Sequence, residues 1–284
     1  MGTASQQTRA RALQWARQTI DRLDARLLLE FASECTSNAL ITDPDVMLED
    51  AQWTNFQSLV HRRESGEPLA YLVGQAGFYG DLLTVTADVL VPRPETEDLV
   101  DWALEVLRAC DAPAIADLGT GSGAIALALA GAKPDGRVLA VDVSAAALLV
   151  AANNQQQLER SNVEFICASW YEGWQVAGLL DLIISNPPYI PVSDPHLAGD
   201  GVRFEPRLAL TDEADGLEAY RAIAAGAMAR LKPGGWLLVE HGHDQAEAVA
   251  ELWVRAGLVN VTSRADLSGN PRMTGGQKPA GGAL

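Results

Sequence analysis

The sequence contains little cysteine, and its three cysteines show no pairing pattern. Cys35, Cys110 and Cys167 lie far apart, without Cys-x-x-Cys spacing. This usage disfavours a disulfide framework and is typical of reduced thiols in a cytoplasm. His241 and His243 stand two residues apart, but no cysteine or carboxylate pair lies at ligand spacing beside them, so we expect no metal site. The sequence therefore predicts a cytoplasmic protein without a metal centre.

Positive charge is also scarce, with 21 basic against 37 acidic residues and a net charge of −16. A chain of this charge repels nucleic-acid phosphates, and no basic cluster is longer than Arg62-Arg63, so direct binding of nucleic acid is disfavoured. No apolar run approaches the roughly 20 residues that a membrane helix needs, so we expect no membrane partner. The 284 residues are enough for one large or two modest globular domains.

The character of the sequence changes twice along the chain. Residues 7–65 carry apolar side chains at helical spacing, which predicts a small helical domain. In Pro68–Val91 apolar residues stand between glycines, as in one or two β-hairpins. We therefore predict a helical domain, a β-hairpin linker and a larger domain, with boundaries at 1–72, 73–91 and 92–284.

From Ala114 onward short apolar runs alternate with amphipathic stretches. This alternation predicts an α/β fold, a doubly wound sheet with helices on both faces. The predicted strands are Ala114–Asp117, Val138–Asp142, Val163–Cys167, Asp181–Ser185, Trp236–Glu240, Val259–Arg264 and a weaker one near Arg272–Thr274. Helices are expected at about 123–131, 145–158, 216–231 and 244–256. We expect the Gly-, Pro- and Ala-rich end after the last strand to be disordered.

The strand Asp181–Ser185 ends in Asn186-Pro187-Pro188-Tyr189. The prolines donate no backbone N–H, so the Asn186 carboxamide and the carbonyl oxygens of Asn186 and Pro187 should project from the carboxyl edge of the sheet. Open α/β sheets bind ligands at that edge. Tyr189 adds an aromatic face, and together these groups suit a planar substrate that carries an NH2 group.

Residues 190–215 follow this motif and show no periodicity, with Phe204-Glu205-Pro206 in the middle. A loop of this length inside a compact domain is usually functional or disordered. Its position directly after the motif favours a segment that covers the substrate.

A glycine-rich loop lies between a predicted strand and a predicted helix, and Asp142 ends the next strand. Glycines let a backbone approach a ligand closely, and an acid at this position binds ribose hydroxyls in NAD or in S-adenosylmethionine. Two features favour S-adenosylmethionine: an acid directly before a G-x-G-x-G loop, and the Asn-Pro-Pro-Tyr motif, which a dehydrogenase does not need. The candidate loop residues are Asp117, Gly119, Thr120, Gly121, Ser122 and Gly123.

Taken together, the motifs resemble one family over nearly the whole chain, the bacterial release-factor glutamine methyltransferases of the HemK or PrmC type. The resemblance is carried by Pro92-Arg93-Pro94-Glu95-Thr96-Glu97, the Asp117–Gly123 loop, Ser185-Asn186-Pro187-Pro188-Tyr189, Asp194-Pro195-His196-Leu197, Val202-Arg203-Phe204-Glu205-Pro206 and Glu240-His241-Gly242. It implies the Rossmann-like sheet of S-adenosylmethionine-dependent methyltransferases. It also implies methyl transfer to the glutamine side-chain nitrogen in the Gly-Gly-Gln loop of class 1 peptide chain release factors, with S-adenosyl-L-homocysteine as product. The helical domain would help to grip that partner, and we expect a monomer.

The resemblance also suggests roles for the site residues. The Asn186 side-chain oxygen and the Pro187 carbonyl oxygen would each accept one N–H of the substrate amide, while Tyr189 packs on the amide plane and Pro188 stiffens the turn. Asn186 would also border the cofactor, and Trp170 would stack near its adenine. Two departures from the family pattern matter: Ser169 stands where an Asp is usual, and Gly275-Gly276-Gln277 replaces the usual Gly-Arg pair near the end.

Two other functions fit parts of the pattern. The Asn-Pro-Pro-Tyr motif also occurs in amino-methyltransferases that act on adenine or guanine in nucleic acid, although the negative net charge argues against such a substrate. A non-catalytic S-adenosylmethionine-binding partner of the translation machinery is the second alternative. An intact Asn186–Tyr189 motif argues against it, because a scaffold has no use for those groups.

Overall fold

The computed structural model describes residues 7–174, 178–266 and 268–280. Within these ranges the chain divides into two compact units. The first contains the described residues up to Gln75 together with Gly199–Phe204, and the second contains the other described residues. No helix in the described ranges is long and apolar enough to cross a membrane.

The first unit consists of short helices around one apolar core. Its helices are α1 (Arg9–Ala16), α2 (Arg22–Ser33), α3 (Ser37–Thr42), α4 (Asp50–Glu64) and α5 (Leu69–Val73). Leu28 and Phe56 are fully buried in the core. Thr8, Asp21 and Thr36 each accept a backbone N–H from the first turn of the helix that follows, which is the capping expected of these residue types. The predicted helical amino-terminal domain is confirmed.

A short stretch from much later in the chain also belongs to the first unit. In Gly199–Phe204, the guanidinium of Arg203 donates a hydrogen bond to the carbonyl oxygen of Ser65, 138 residues earlier. Asp200 lies beside Gly66, with Oδ1 only 2.9 Å from the place where a Cβ on that glycine would stand. The predicted domain boundaries do not include this segment, because no local periodicity marks so distant a contact.

One β-hairpin follows the helices. It pairs β1 (Gln75–Phe78) with β2 (Asp81–Thr84) in a two-stranded sheet. Tyr79 and Gly80 at the turn both have positive φ, 50° and 83°, as in the two-residue turns whose twist matches the flanking strands. The stretch in which we expected one or two hairpins therefore holds the short helix α5 and a single hairpin.

The second unit is built on a seven-stranded sheet with the order β5-β4-β3-β6-β7-β9-β8. Its strands are β3 (Ala114–Leu118), β4 (Arg137–Asp142), β5 (Val163–Cys167), β6 (Leu180–Ser185), β7 (Leu231–Glu240), β8 (Val259–Ala265) and β9 (Pro271–Gln277). The five strands from β5 to β7 are parallel, and β9 is antiparallel to both of its neighbours. Every predicted strand is present, although β7 begins five residues earlier than expected.

Helices cover both faces of this sheet, as predicted. They are α6 (Glu95–Val106), α7 (Ala124–Ala132), α8 (Ala145–Gln157), α9 (Arg207–Leu210), α10 (Glu218–Arg230) and α11 (Ala246–Arg255). One apolar cluster joins the sheet to Trp102 of α6 and Leu127 of α7. A second cluster contains Tyr220 of α10 and Trp253 of α11. The α/β fold with a Rossmann-like sheet is thereby confirmed.

The carboxyl-terminal strand corrects one expectation. Gly275, Gly276 and Gln277 are not disordered: they belong to β9, which lies between β7 and β8. A Cβ on Gly275 would stand 2.7 Å from the Trp102 ring, and one on Gly276 would stand 2.9 Å from Trp253 Cδ1, so only glycine lets both tryptophans pack this closely on the sheet. The expectation of disorder for residues 281–284 lies outside the described residues.

Candidate active site

A cavity of about 490 Å³ opens at the carboxyl ends of the parallel strands. Its wall includes residues that directly follow β3, β4, β5 and β6, part of the 88–96 stretch with Thr96, part of the 206–213 segment and the start of α10. A cavity at this edge is where an open α/β sheet binds ligands. Of the predicted site residues, those that line it are Gly119, Thr120, Gly121, Ser122, Asp142, Trp170, Asn186 and Pro188.

The glycine loop turns tightly at the end of β3. The backbone N–H groups of Gly119 and Thr120 both donate to the carbonyl oxygen of Val141, at 2.8 and 2.9 Å. Gly119, Gly121 and Gly123 have φ of 72°, 55° and 84°, in the left-handed region that other residues adopt only with strain. The loop therefore requires glycine for its backbone shape, and this shape brings main-chain atoms to the cavity wall.

Asp117 lies behind this loop and has no solvent exposure. Its Oδ2 accepts hydrogen bonds from Thr120 Oγ1 at 2.6 Å and from the Ala126 N–H at 3.2 Å. Its Oδ1 has no hydrogen-bond partner among the described residues. Burial raises the pKa of Asp117 to about 7, against the lowering effect of its two donors. A buried acceptor without a partner beside a ligand loop fits a cationic or N–H group of the ligand.

Asp142, at the end of β4, presents its carboxylate to the cavity in a fixed orientation. Oδ2 accepts the Gly121 N–H at 2.9 Å, and Oδ1 accepts the Ser144 N–H at 2.8 Å. Burial raises the pKa of Asp142, while these backbone donors lower it. Each oxygen keeps acceptor capacity, so the carboxylate suits two neighbouring hydroxyl groups such as those of a ribose.

Ser169 and Trp170 line the same cavity beyond the end of β5. Trp170 has φ of 49° and packs against the apolar cluster of α10 and α11. Its ring is half-buried, which leaves part of an aromatic surface on the cavity wall. Ser169 offers a short hydroxyl to the cavity.

The Asn186 carboxamide is held by groups inside the protein. Its Nδ2 donates to Thr96 Oγ1 at 3.2 Å, and Thr96 Oγ1 in turn donates to Glu240 Oε2 at 2.6 Å. Among the described residues no donor contacts the Asn186 side-chain oxygen, and Asn186 itself lines the cavity. The carboxamide can therefore present an acceptor to a ligand.

Four predicted site residues lie behind the lining rather than in it. Pro187 is buried, and the Tyr189 ring packs against the apolar cluster of α10 and α11. Asp117, behind the glycine loop, and Gly123, at the end of that loop, do not contribute to the cavity wall. The structure thus brings the asparagine and the glycine loop to one cavity, and it places the tyrosine ring mainly in the core.

Sequence reasoning missed a glutamine that holds the motif. Gln245 Nε2 donates to the carbonyl oxygens of Tyr189 at 3.0 Å and Gly216 at 3.1 Å, and its Oε1 accepts the Gly242 N–H at 2.8 Å. Gly216 approaches so closely that a Cβ would stand 2.5 Å from the Tyr189 oxygen. Nothing in the local sequence marks Gln245, because two of its three partners lie 56 and 29 residues earlier in the chain.

Thr96 and Glu240 were also missed as site residues, although both lie in motifs that carry the family resemblance. Glu240 is only 2% exposed, and burial raises its pKa to about 7. Nearby, Arg93 Nη2 donates to Glu205 Oε2 at 2.7 Å, which ties the stretch before α6 to the segment that precedes α9. The signal that could have found Glu240 is an acidic residue at the end of the apolar run Trp236–Val239.

The described residues contain no group of three or more His, Cys, Asp or Glu side chains that could hold a metal ion. The polar side chains on the cavity wall include hydroxyl, carboxylate, carboxamide and guanidinium groups, beside the backbone of the glycine loop. Such a site can bind and orient an organic ligand through hydrogen bonds.

The sheet order, the glycine loop, the acid after β4 and the cavity define the class of S-adenosylmethionine-dependent methyltransferases. The 16S rRNA N2 G1207 methyltransferase of Thermus thermophilus, solved in complex with AdoMet and guanosine, shares the fold with a TM-score of 0.52. The match has 19% identity and covers 72% of this chain and 49% of that one.

Family comparisons define a narrower group. The PrmC N-terminal domain profile matches residues 7–74, and the Methyltransferase small domain profile matches residues 100–196. The release factor glutamine methyltransferase of Xylella fastidiosa strain Temecula1 is 48% identical over 93% of this chain and 96% of its own length. That of Bordetella pertussis is 49% identical over 90% and 95%. The chain belongs to the release factor glutamine methyltransferase family, as predicted.

Proposed function

We propose that the protein transfers a methyl group from S-adenosylmethionine to the side-chain amide nitrogen of the glutamine in the Gly-Gly-Gln motif of class 1 peptide chain release factors. The observation that carries this proposal is the Asn186 carboxamide, whose nitrogen is bound by Thr96 while its oxygen remains an acceptor at the cavity. An acceptor held in this way suits a substrate NH2 group. The names of the relatives support the same substrate.

The reaction requires orientation more than early proton removal, because the surplus proton of the methylated nitrogen can leave to solvent after the transfer. An amide nitrogen is a poor nucleophile because its lone pair is delocalised into the carbonyl group. The Asn186 side-chain oxygen and the Pro187 carbonyl oxygen each accept one substrate N–H, which directs the nitrogen towards the methyl group. Pro188 stiffens the turn, and the Tyr189 ring packs on the substrate amide from the side of the apolar core. Orientation of this kind contributes up to roughly 7–11 kcal/mol of barrier reduction.

The residues around the cavity fit S-adenosylmethionine. When bound, this cofactor supplies an electrophilic methyl group on a sulfonium, and S-adenosyl-L-homocysteine remains as product. Asp142 accepts from the ribose hydroxyls, and the Asp117 oxygen without a partner suits the amino group. The loop Gly119–Gly123 provides backbone contacts, while Trp170 stacks near the adenine and Asn186 borders the sulfonium.

The two parts of the chain have separate roles in this proposal. The helical domain, residues 1–72, grips the release factor, and the hairpin at 73–91 links it to the methyltransferase domain at 92–284. We propose that the protein acts as a monomer in the cytoplasm, where translation termination takes place. Membranes and nucleic acid are not among its proposed partners.

A radiolabel transfer assay tests this function against its runner-up. Purified class 1 release factor and duplex nucleic acid are offered separately, each with the enzyme and methyl-labelled S-adenosylmethionine. The proposal expects label on the release factor, and the nucleic acid should remain at background. Label on adenine or guanine with none on the release factor would replace the proposal with an amino-methyltransferase of nucleic acid.

A further inference from the structure

A chain of hydrogen bonds runs from Asn186 into the protein interior. Asn186 Nδ2 lies 3.2 Å from Thr96 Oγ1, and Thr96 Oγ1 lies 2.6 Å from Glu240 Oε2. Thr96 is 4% exposed and Glu240 is 2% exposed, so water does not compete for these bonds. Thr96 lines the cavity beside Asn186, and Glu240 lies behind Thr96, away from the cavity wall.

The donors and acceptors in this chain can be assigned from chemistry alone. An ionised carboxylate only accepts hydrogen bonds, so the single proton of the Thr96 hydroxyl is committed to Glu240. The Thr96 oxygen can then only accept, and the group facing it must be the NH2 of Asn186. The carboxamide oxygen of Asn186 is consequently turned to the other side.

We propose that Thr96 and Glu240 are positioning residues that hold the Asn186 carboxamide with its oxygen towards the substrate amide. The inference rests on the proposed function, because the orientation matters only when Asn186 accepts a substrate N–H. Neither residue touches the reacting atoms. They act by removing the alternative orientation, in which Asn186 would offer an NH2 group to another NH2 group.

The charge of Glu240 determines which way the Asn186 carboxamide faces. A protonated Glu240 donates to Thr96, and the Thr96 hydroxyl is then free to donate to Asn186. That arrangement favours the flipped carboxamide, with the oxygen of Asn186 bound to Thr96 and its nitrogen towards the substrate. Only the ionised form of Glu240 selects the productive orientation.

Among the groups around Glu240, it is Glu240 itself that titrates near neutral pH. Burial raises the pKa of Glu240 to about 7, and the charge of Glu95 acts in the same direction, while hydrogen bonding by Thr96 and Asn186 and the charge of Arg272 lower it. The neighbours Tyr189, Tyr220 and His241 remain neutral near pH 7. Burial raises the pKa of the two tyrosines and lowers that of the histidine. Turnover should therefore rise with pH through about 7.

The test compares variants of the full-length enzyme on release factor at saturating S-adenosylmethionine. Thr96→Val removes the hydroxyl without changing the side-chain shape, and we expect kcat to fall on the order of 100-fold, as for a misplaced catalytic group. Thr96→Ser keeps the hydroxyl and should retain most of the activity. S-adenosylmethionine affinity, measured by calorimetry, should stay close to wild type in both variants.

Thr274→Val is the matched control. It deletes an equally buried hydroxyl that contacts His241 Nε2 and Ser263 Oγ rather than Asn186. We expect it to lower the melting temperature and to leave kcat unchanged. If Thr96→Val behaved like Thr274→Val, the inference would be wrong while the proposed function would stand.

The pH profile of kcat provides a readout that a purely structural role does not move. Wild-type kcat should rise between pH 6 and pH 8, and Glu240→Gln should lose that rise, because a neutral side chain at this position no longer changes charge. A wild-type profile that is flat over this range overturns the inference, and this result does not depend on any variant folding. A wild-type enzyme that labels no release factor instead overturns the proposed function.

Discussion

The side-chain nitrogen of Gln245 lies 3.0 Å from the carbonyl oxygen of Tyr189, so a residue next to α11 holds the end of the Asn-Pro-Pro-Tyr turn. The same amide group donates to Gly216 and accepts from Gly242. Three segments that are distant in sequence therefore meet at one buried carboxamide. The shape of the turn depends on this contact as well as on its prolines.

Replacing Gln245 by Glu should weaken this junction. A carboxylate still accepts the Gly242 N–H, but it faces the Tyr189 and Gly216 carbonyl oxygens without a proton to donate. We expect the free energy of unfolding to fall by about 1–3 kcal/mol, the usual effect of leaving buried polar groups without partners. Urea denaturation measures this free energy of unfolding, and Gln156→Met on the exposed face of α8 serves as the control. Equal stability of the two variants would contradict the assignment.

Asp142→Ala should chiefly weaken the binding of S-adenosylmethionine. The variant loses a charged acceptor for the two ribose hydroxyls, which costs roughly 1.5–3 kcal/mol of binding free energy. Calorimetry of the variant against wild type measures the change. Asp135→Ala removes an exposed acid away from the cavity and should bind normally. An unchanged affinity in Asp142→Ala would show that the cofactor lies elsewhere.

The pKa of Asp117 leads to a prediction about pH. In the free protein burial raises the pKa of this carboxyl to about 7, and a cationic amino group at the glycine loop is stabilised by the ionised form more than by the neutral form. The dissociation constant of S-adenosylmethionine should therefore fall roughly tenfold between pH 6 and pH 7.5, in proportion to the ionised fraction. Asp117→Asn should bind more weakly and lose most of this dependence. If the affinity of wild type for S-adenosylmethionine were constant over this pH range, the role of Asp117 would be contradicted.

The raised pKa of Asp117 also determines how the stability of the cofactor-free protein depends on pH. Because the folded pKa of Asp117 lies above its unfolded value, the native state binds the proton more tightly than the unfolded state between about pH 4 and pH 7. Through this group, stability is highest at low pH and declines as pH rises through that window. Glu240 acts in the same direction, since its pKa is raised as well.

Asn186 variants test the substrate acceptor. Asn186→Ala removes one of the two acceptors and should lower kcat by about 100- to 1000-fold, as for other preorganised groups at a reacting centre. Asn186→Asp keeps an acceptor but adds a charge beside a sulfonium, and it also faces the Thr96–Glu240 pair with a second carboxylate. We expect low turnover in both variants with little change in cofactor affinity. Near-normal turnover of Asn186→Ala would contradict the proposed role.

Most of the fold could be predicted from local patterns. The parallel strands are short apolar runs that end in turn residues, and the helices between them keep apolar positions at helical spacing. The last strand was predicted too short, because Gly275 and Gly276 have little strand propensity of their own. Their place in β9 is fixed by Trp102 and Trp253, which pack on either side of the glycines. That information is not local, so the sequence pattern contained no sign of it.

The candidate site could also be predicted only in part. Asn186 and Asp142 could be predicted because each follows a strand at a position where ligands bind in this fold. Thr96 stands 90 residues from Asn186, and Gln245 stands 56 residues from Tyr189, yet both form hydrogen bonds there. Such partners depend on how strands are ordered in the sheet. The sequence therefore predicts Asn186 as the acceptor but does not predict the residues that orient its carboxamide.

The central claim is that the methyl group goes to the amide nitrogen of one glutamine, and mass spectrometry of the release factor tests it most directly. Wild-type release factor and a variant with the Gly-Gly-Gln glutamine replaced by Glu are incubated with enzyme and S-adenosylmethionine, and the loop peptide is sequenced. We predict one added methyl group on the glutamine side chain of the wild-type peptide and none on the variant, which has no NH2 group to orient. A variant release factor methylated as fully as the original would contradict the account.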